Sequence, residues 1–354
     1  MSLTLGSLFD GIGVFPLAAS GHGITPLWAS EIEKVPISIT KGHFPGMAHL
    51  GDITKLKGSE IPPVHIITFG SPCQNLSTIG AREGLAGSKS GLFYHAIRII
   101  KEMRCATNGL FPVIAVWENV AGAFSSNHRL DFKSVLESFA GSEIPMPDSG
   151  RWAKCGMVRG SLADVCWRLL DAQYWGKPTL VQRRKRVFVV ADFGGTRAAE
   201  ILLKPRQLYP LPDACAEGGL PASRTDRVPS LKTRRGIPVV CPFEERRMRS
   251  CAKSKDIPGF LRSFGRADDV FPTLLAGTTG IFSFWYEGEE KDGVIRYLTP
   301  LECERLMGLP DNWTKYDYLG KQTSDNARCT ALGNAIALPC AEYIMAGIKE
   351  VLEG

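Results

Sequence analysis

Val64-His65-Ile66-Ile67-Thr68-Phe69 runs directly into Gly70-Ser71-Pro72-Cys73-Gln74. The first six residues, mostly apolar and rich in β-branched types, read as a strand buried on both faces, the kind found in parallel sheets. Gly70 and Pro72 then break the strand, so Cys73 falls on a loop at its carboxyl end. Open α/β sheets bind their ligands at that edge. A cysteine in such a turn is either a small apolar filler or a nucleophile, and the residues around it decide between the two.

On the amino-terminal side, residues 3–9 read as a first strand leading into Asp10-Gly11-Ile12-Gly13 and an apolar, helical segment to Ala19. A second strand spans 25–30 and ends in Glu31, a helix follows over 32–43, and Asp52-Ile53 closes a short third strand. On the other side, 80–91 is a loop rich in glycine and serine, and 92–104 is a helix. The strand at 113–117 delivers Glu118-Asn119-Val120 to the same edge as Cys73. Helices are expected at 132–139 and 162–172, an irregular insertion at 141–160, and a strand at 186–192. This alternation predicts an α/β fold with a doubly wound, mostly parallel sheet. Past Phe193 prolines multiply, and short β-like pieces (239–240, 271–275, 281–286) replace the alternation. The expected division is therefore 1–193, a smaller β-rich and irregular domain over 194–293, and 294–354 rejoining the first part. Thr299, Pro300 and Glu302 have the spacing of a capped helix start over 299–307. A last helix is expected over 337–352.

Composition narrows the class. With 44% hydrophobic and 22% charged residues the chain is ordinary for a globular protein. There is no apolar run of membrane-spanning length. The first basic residue is Lys34, which argues against a secretory signal. The ten cysteines contain no C-x-x-C pair and the six histidines all precede residue 130, so neither a zinc site nor a disulfide framework is expected. Residues 222–266 carry 12 Lys/Arg against 4 Asp/Glu within a net charge of +6, so the remainder is slightly acidic. A segment of that charge suits phosphates, and equally suits a solvated loop.

Gly11 and Gly13 let the backbone approach a ligand at a helix start. The third glycine of a dinucleotide fingerprint is replaced by Pro16, while Glu31 stands twenty residues after Gly11, where an acid binds ribose hydroxyls. The pattern favours an adenosine-type ligand, with Asp52 either a turn former or a contact to the adenine edge. Glu118 is either a salt-bridged acid or, in a dry pocket, a proton donor. In the run Gln182-Arg183-Arg184-Lys185-Arg186 alternation puts Arg184 and Arg186 on one face and Arg183 and Lys185 on the other.

Taken together and in this order, the motifs resemble those of the DNA (cytosine-5)-methyltransferase family. Phe9–Gly13 is similar to its first cofactor motif, Pro72-Cys73-Gln74 to its nucleophile motif, and Glu118-Asn119-Val120 to its acid motif. Gln182-x-Arg184-x-Arg186 is similar to its paired-arginine motif. Arg296-x-Leu298-Thr299-x-x-Glu302-Cys303-x-Arg305-Leu306-x-Gly308-x-Pro310 and Gly333-Asn334-Ala335-Ile336 resemble its last two.

The resemblance implies a class I methyltransferase, Rossmann-like fold with a target-recognition domain, and S-adenosylmethionine as cofactor. It places Phe9, Gly11, Ile12, Gly13, Glu31, Ile32, Asp52, Ile53, Pro72, Leu92, Asn334 and Ile336 around that cofactor. Ile32 departs from the aromatic some members carry. The implied catalytic set is Cys73, adding to carbon 6 of a flipped-out cytosine, with Glu118 on the ring edge and Arg186, supported by Arg184, on the ring carbonyl. Glycine-rich 80–91 would close over the base, and the basic segment would grip double-stranded DNA. A cytoplasmic, monomeric bacterial or phage modification enzyme follows, with a cognate restriction endonuclease acting separately. Two alternatives stay open: an RNA (cytosine-5)-methyltransferase and a catalytically silent DNA-binding relative. A nicotinamide oxidoreductase is disfavoured by Pro16. A cysteine hydrolase would need His65 or His95 as partner to Cys73.

Overall fold

The computed structural model describes side chains at residues 2–71, 91–176, 180, 182–204, 273–274 and 298–354, and backbone alone for three strands between 238 and 297. Pro72, Cys73, residues 80–90 and, apart from one strand's backbone, the basic segment 222–266 lie outside the described residues. The chain divides into two compact units. One comprises Met1–Asp171, Lys185–Pro205 and Leu338–Gly354; the other comprises Ala172–Arg184 and Arg206–Ala337.

The first unit is built on an eight-stranded mixed sheet. Five parallel strands come first: β3 (Ala48–His49), β2 (Thr25–Ser30), β1 (Thr4–Leu8), β4 (Ile66–Phe69) and β5 (Ile114–Val120). Antiparallel β8 (Lys185–Asp192), β7 (Asp164–Asp171) and β6 (Cys155–Arg159) complete it. Strand order reverses between β1 and β4, the switch point at which such sheets open a crevice. All four residues of β4 are buried, as its apolar run requires. Ile67 and Phe69 join Leu8, Trp28, Trp117, Phe132 and Phe139 in one core cluster. That cluster includes Phe93, Ile97 and Ile100 of helix α3 (Gly91–Ala106) and Val135 of α4 (Leu130–Ala140). Each such side chain contributes roughly 1.5–3 kcal/mol on burial. Helix α1 (Val14–Gly21) packs on β1 and β2, and on the carboxy-terminal helix, α8 (Leu338–Glu353), which also meets α5 (Ala198–Leu202). Helix α2 covers Lys34–His43.

Three expectations for this unit are corrected. The helix expected over 162–172 is instead strand β7 over Asp164–Asp171. The apolar run there carries β-branched Val165 and aromatic Trp167 and is buried on both sides between β8 and β6, and a short apolar run alone does not distinguish helix from strand. The insertion at 141–160 is not wholly irregular. It contains β6, and its Trp152 lies edge-to-face 5.4 Å from Phe132 and 6.1 Å from Trp167 while donating to the Arg129 carbonyl at 3.0 Å. Asp52-Ile53 does not close β3. Asp52 caps a short 3-10 turn at Ile53–Lys55, its carboxylate accepting from the Thr54 N–H at 2.9 Å.

In the second unit, β9 (Pro238–Phe243), β10 (Ile281–Tyr286) and β11 (Glu289–Tyr297) form an antiparallel sheet in the order β11-β10-β9. The expected pieces at 239–240 and 281–286 lie in strands, whereas Thr273 and Leu274 do not. The charged start of β11 hides it from a hydrophobic count. Helix α6 (Pro300–Leu306) begins with the expected reciprocal cap. The Glu302 N–H donates to Thr299 Oγ1 at 3.3 Å, and the Thr299 N–H donates to Glu302 Oε2 at 2.7 Å. Helix α7 (Asp325–Asn334), capped by Ser324, has no wide apolar stripe and was not foreseen.

Candidate active site

At the carboxyl edge of β1 the backbone turns through positive φ at Phe9 (53°), Gly11 (56°) and Gly13 (77°). A Cβ on Gly13 would lie 2.9 Å from Thr40 Cγ2 and 3.1 Å from Phe44 Cε2, so only glycine lets α1 start against the end of α2. The turn is locked to β2. The Gly11 N–H donates to Glu31 Oε2 at 2.8 Å, and Glu31 Oε1 accepts from the Ile32 and Glu33 N–H groups at 2.8 and 3.0 Å. About four donors fit around a carboxylate, so Glu31 is fixed in orientation with capacity for one more. Ser30 ties the end of β2 to the next loop by donating to the Gly51 carbonyl at 2.6 Å. Phe9, Leu92 and Ile53 all reach the same core cluster. Ile12 is buried, while the Ile32 side chain is 65% exposed.

Asp10, in the middle of this turn, was not among the expected site residues. Both of its carboxylate oxygens are buried without a hydrogen bond among the described residues, as is the Ser7 hydroxyl. Burial pushes this carboxyl up to about 7. Proximity to Ser7 pulls it back somewhat, and the nearby Glu31 adds to the rise. Its signal in the sequence was an acid placed between an apolar strand and a glycine turn.

The second half of the site lies where β4 and β5 end and antiparallel β8 begins. Asn119 Nδ2 donates to the Ser71 carbonyl at 3.0 Å, and the Trp117 indole N–H donates to Ser71 Oγ at 3.1 Å. A Cβ on Gly70 would sit 3.0 Å from Glu118 Oε2, so this glycine lets the acid lie against the strand end. Arg186 Nε is 2.9 Å from Glu118 Oε1, with the two side chains only 15% and 11% exposed. Antiparallel register puts Val120 opposite Arg186, one diagonal step from Glu118. The last two residues before Pro72 and Cys73 are thus held beside an acid–guanidinium pair.

The remaining expected residues belong to the second unit. Arg184, buried, donates from Nη1 to the Leu274 carbonyl at 2.8 Å. Its Nη2 donates to the Gly333 and Ala335 carbonyls at 2.9 and 2.5 Å. Its guanidinium is committed to main chain, so it acts by positioning the 333–335 turn, which carries Asn334 between those two carbonyls. Asn334 is exposed at the end of α7 and Ile336 is half-buried. Arg183 and Lys185 are exposed, as the alternation required. Gln182 is fully buried with neither amide atom hydrogen-bonded among the described residues. Among the described residues no cluster of three His, Cys, Asp or Glu could hold a metal, and no single helix is long and apolar enough to cross a membrane.

A Rossmann-like sheet with a glycine turn on β1 and an acid ending β2 defines the class I methyltransferases. The chain belongs to the C-5 cytosine-specific DNA methylase family, whose model matches residues 3–350, and it is by class a DNA cytosine methyltransferase. It is 26% identical to a type II methyltransferase of Lactococcus lactis subsp. cremoris over 98% of this chain and 78% of that protein. It is also 26% identical to a protein of Escherichia phage P1 named as a DNA N-6-adenine-methyltransferase, over 97% of this chain but 60% of the phage protein's length. Among solved structures, a candidate DNA modification methyltransferase encoded in an E. coli prophage shares the fold (TM-score 0.59, 18% identity, full coverage of both chains). The family's methyl donor is in general S-adenosylmethionine. The close-approach turn, the locked Glu31 and the apolar surface of Ile32 suit its backbone-contacted, hydroxyl-bearing and flat parts respectively.

Proposed function

We propose that this protein methylates carbon 5 of cytosine within a specific double-stranded DNA sequence, as a bacterial or phage modification enzyme acting as a monomer in the cytoplasm. The observation that carries this reading is the Glu118–Arg186 pair beside Gly70 and Ser71, two residues short of Cys73. The cysteine thiolate adds to carbon 6 of an extruded cytosine, forming an S–C6 bond and raising electron density at carbon 5. Glu118, entering the step protonated, gives its proton to ring N3 and accepts from the exocyclic amine, so the charge brought by the adding sulfur ends on the carboxylate facing Arg186. Arg186 binds the ring carbonyl and keeps the Glu118 carboxyl oriented. Arg184 supports them by holding the 333–335 turn. S-adenosylmethionine supplies the methyl group that carbon 5 takes. Loss of the carbon-5 proton to a base and breakage of the S–C6 bond then restore the thiolate.

The cofactor would be held by Phe9, Gly11, Ile12, Gly13, Glu31, Ile32, Asp52, Ile53, Pro72, Leu92, Asn334 and Ile336. Residues 194–293 would read the DNA, with the basic 222–266 stretch on phosphates. A restriction endonuclease of the same specificity would act separately.

The deciding experiment is transfer of labelled methyl from S-adenosylmethionine to DNA, with product mapping. Label on cytosine carbon 5 is expected. Label on adenine N6, or only in RNA, overturns the reading. Cys73→Ser should still bind cofactor but give no turnover, and duplexes containing 5-fluorocytosine should trap the wild-type protein covalently through Cys73.

A further inference from the structure

Among the described residues most large apolar side chains left exposed stand singly, which is ordinary. Three do not: Tyr316, Tyr318 and Leu319 are 49%, 53% and 74% exposed within four residues of one another. They sit on a tight turn that is well built. Asp317 Oδ1 accepts from the Leu319 and Lys321 N–H groups at 2.9 and 2.8 Å, and the Asp317 N–H donates to the Lys321 carbonyl at 2.9 Å. Tyr316 pairs with Gln322, the Thr323 N–H donates to the Lys315 carbonyl at 2.9 Å, and Gly320 takes φ 78° at the apex.

The base of the turn is anchored in the same unit. Buried Glu304 accepts from the Asn312 and Thr314 N–H groups, both at 2.8 Å, from the Thr314 hydroxyl at 2.5 Å and from Arg328 Nη2 at 2.9 Å. A loop that needed only to connect α6 to α7 would not require this much internal bonding to present apolar rings to water. Asp311 is paired with Arg305 and Asp325 lies 3.7 Å from Arg328, while Asp317, bonded to N–H groups of the turn, keeps its charge and leaves the tip at +1. Lys315, its ammonium 5.1 Å above the Tyr316 ring, and exposed Lys321 are the cations of the tip.

We propose that the 315–321 tip is a second DNA-gripping element. In it Lys315 and Lys321 meet backbone phosphates of the duplex flanking the target, and Tyr316 and Leu319 pack on the sugars between them. Lys315 over the Tyr316 ring and exposed Lys321 put cations beside apolar side chains, the two chemistries that phosphates and deoxyriboses call for. The tip belongs to the same compact unit as the basic 222–266 stretch. This inference rests on the reading of duplex DNA as substrate.

The test measures binding of the full chain to a 30-base-pair duplex by fluorescence anisotropy across a salt series. Lys315→Ala/Lys321→Ala should weaken binding about ten-fold near physiological salt and lower the log–log salt slope by about 2, since each phosphate contact releases about one counterion. Tyr316→Ala/Leu319→Ser should weaken binding with the slope unchanged. Thermal midpoints close to wild type would show that the folds are intact. If the wild type binds the duplex and both variants bind equally well, the tip proposal falls while the proposed function stands. If the wild type binds no duplex, the function itself falls and the proposal with it. If the variants change only the oligomeric state measured by light scattering, the tip contacts a second copy of the chain and the DNA assignment is overturned.

Discussion

The Glu118–Arg186 and Glu304–Arg328 pairs have the same 2.9 Å length, and they serve opposite ends. Glu304 and Arg328 are 0% and 6% exposed, and the carboxylate also takes two main-chain N–H groups and a hydroxyl, which fills its lone pairs. Such a pair holds chain segments and has nothing left to offer a ligand. Glu118 and Arg186 keep a small exposed area where β5 ends and β8 begins, next to Gly70 and Ser71. The acid–base chemistry of the two pairs is the same; access separates a structural clamp from a candidate catalytic pair.

The comparison is tested first by cutting the closed pair. Among the described residues, Glu304→Gln leaves buried Arg328 with only exposed Asp325, 3.7 Å away, as counter-charge and should lose about 3 kcal/mol in urea unfolding. A loss under about 1 kcal/mol would mean that the pair is not the clamp described. Glu118→Gln should behave the other way. Its kcat should fall roughly 10²–10³-fold, from lost charge stabilisation of the adding thiolate, with a stability change near 1 kcal/mol because water reaches the site. Equal damage to stability from both substitutions would erase the distinction between them.

Asp10 sharpens the contrast from a third position, an acid whose raised value comes from burial and from Glu31. Its folded value of about 7 lies above the unfolded value of about 3.9. The folded state therefore binds the proton more tightly, and stability falls as pH rises from about 4 to 7, with the full penalty in place above 7. Asp10→Asn should match wild type near pH 4 and exceed it above pH 7 by roughly 4 kcal/mol in the absence of cofactor, about three pH units at about 1.36 kcal/mol each. A constant difference across that range would show that Asp10 does not titrate in the fold. The smallest effect is expected at the α6 cap, where Thr299→Ala should cost about 1 kcal/mol and leave methyl transfer unchanged per folded molecule.

The candidate site was legible wherever one residue type has few uses. Glycines at 11 and 13, an acid closing β2, and the order of Glu118, Arg184 and Arg186 stand out because close approach, hydroxyl binding and planar charge pairing each admit few side chains. Glu304 was passed over, since in sequence it is one more acid on a helix, and only the fold brings Asn312, Thr314 and Arg328 to it. Asp10 was passed over because burial, which gives it significance, is a property of packing. The misread 162–172 segment has the same cause. Its apolar residues satisfy either period until two strands flank it.

By itself the chain specified the buried strand ending at Phe69, the turn after β1 and the cap of α6, because these depend on local sterics and on the chemistry of single side chains. The tertiary structure decided that 164–171 is a strand, that Arg184 is spent on three carbonyls, and that of two equal ion pairs one is sealed and one open. Those outcomes depend on which distant groups share a low-dielectric space, and sequence separation carries no information about that.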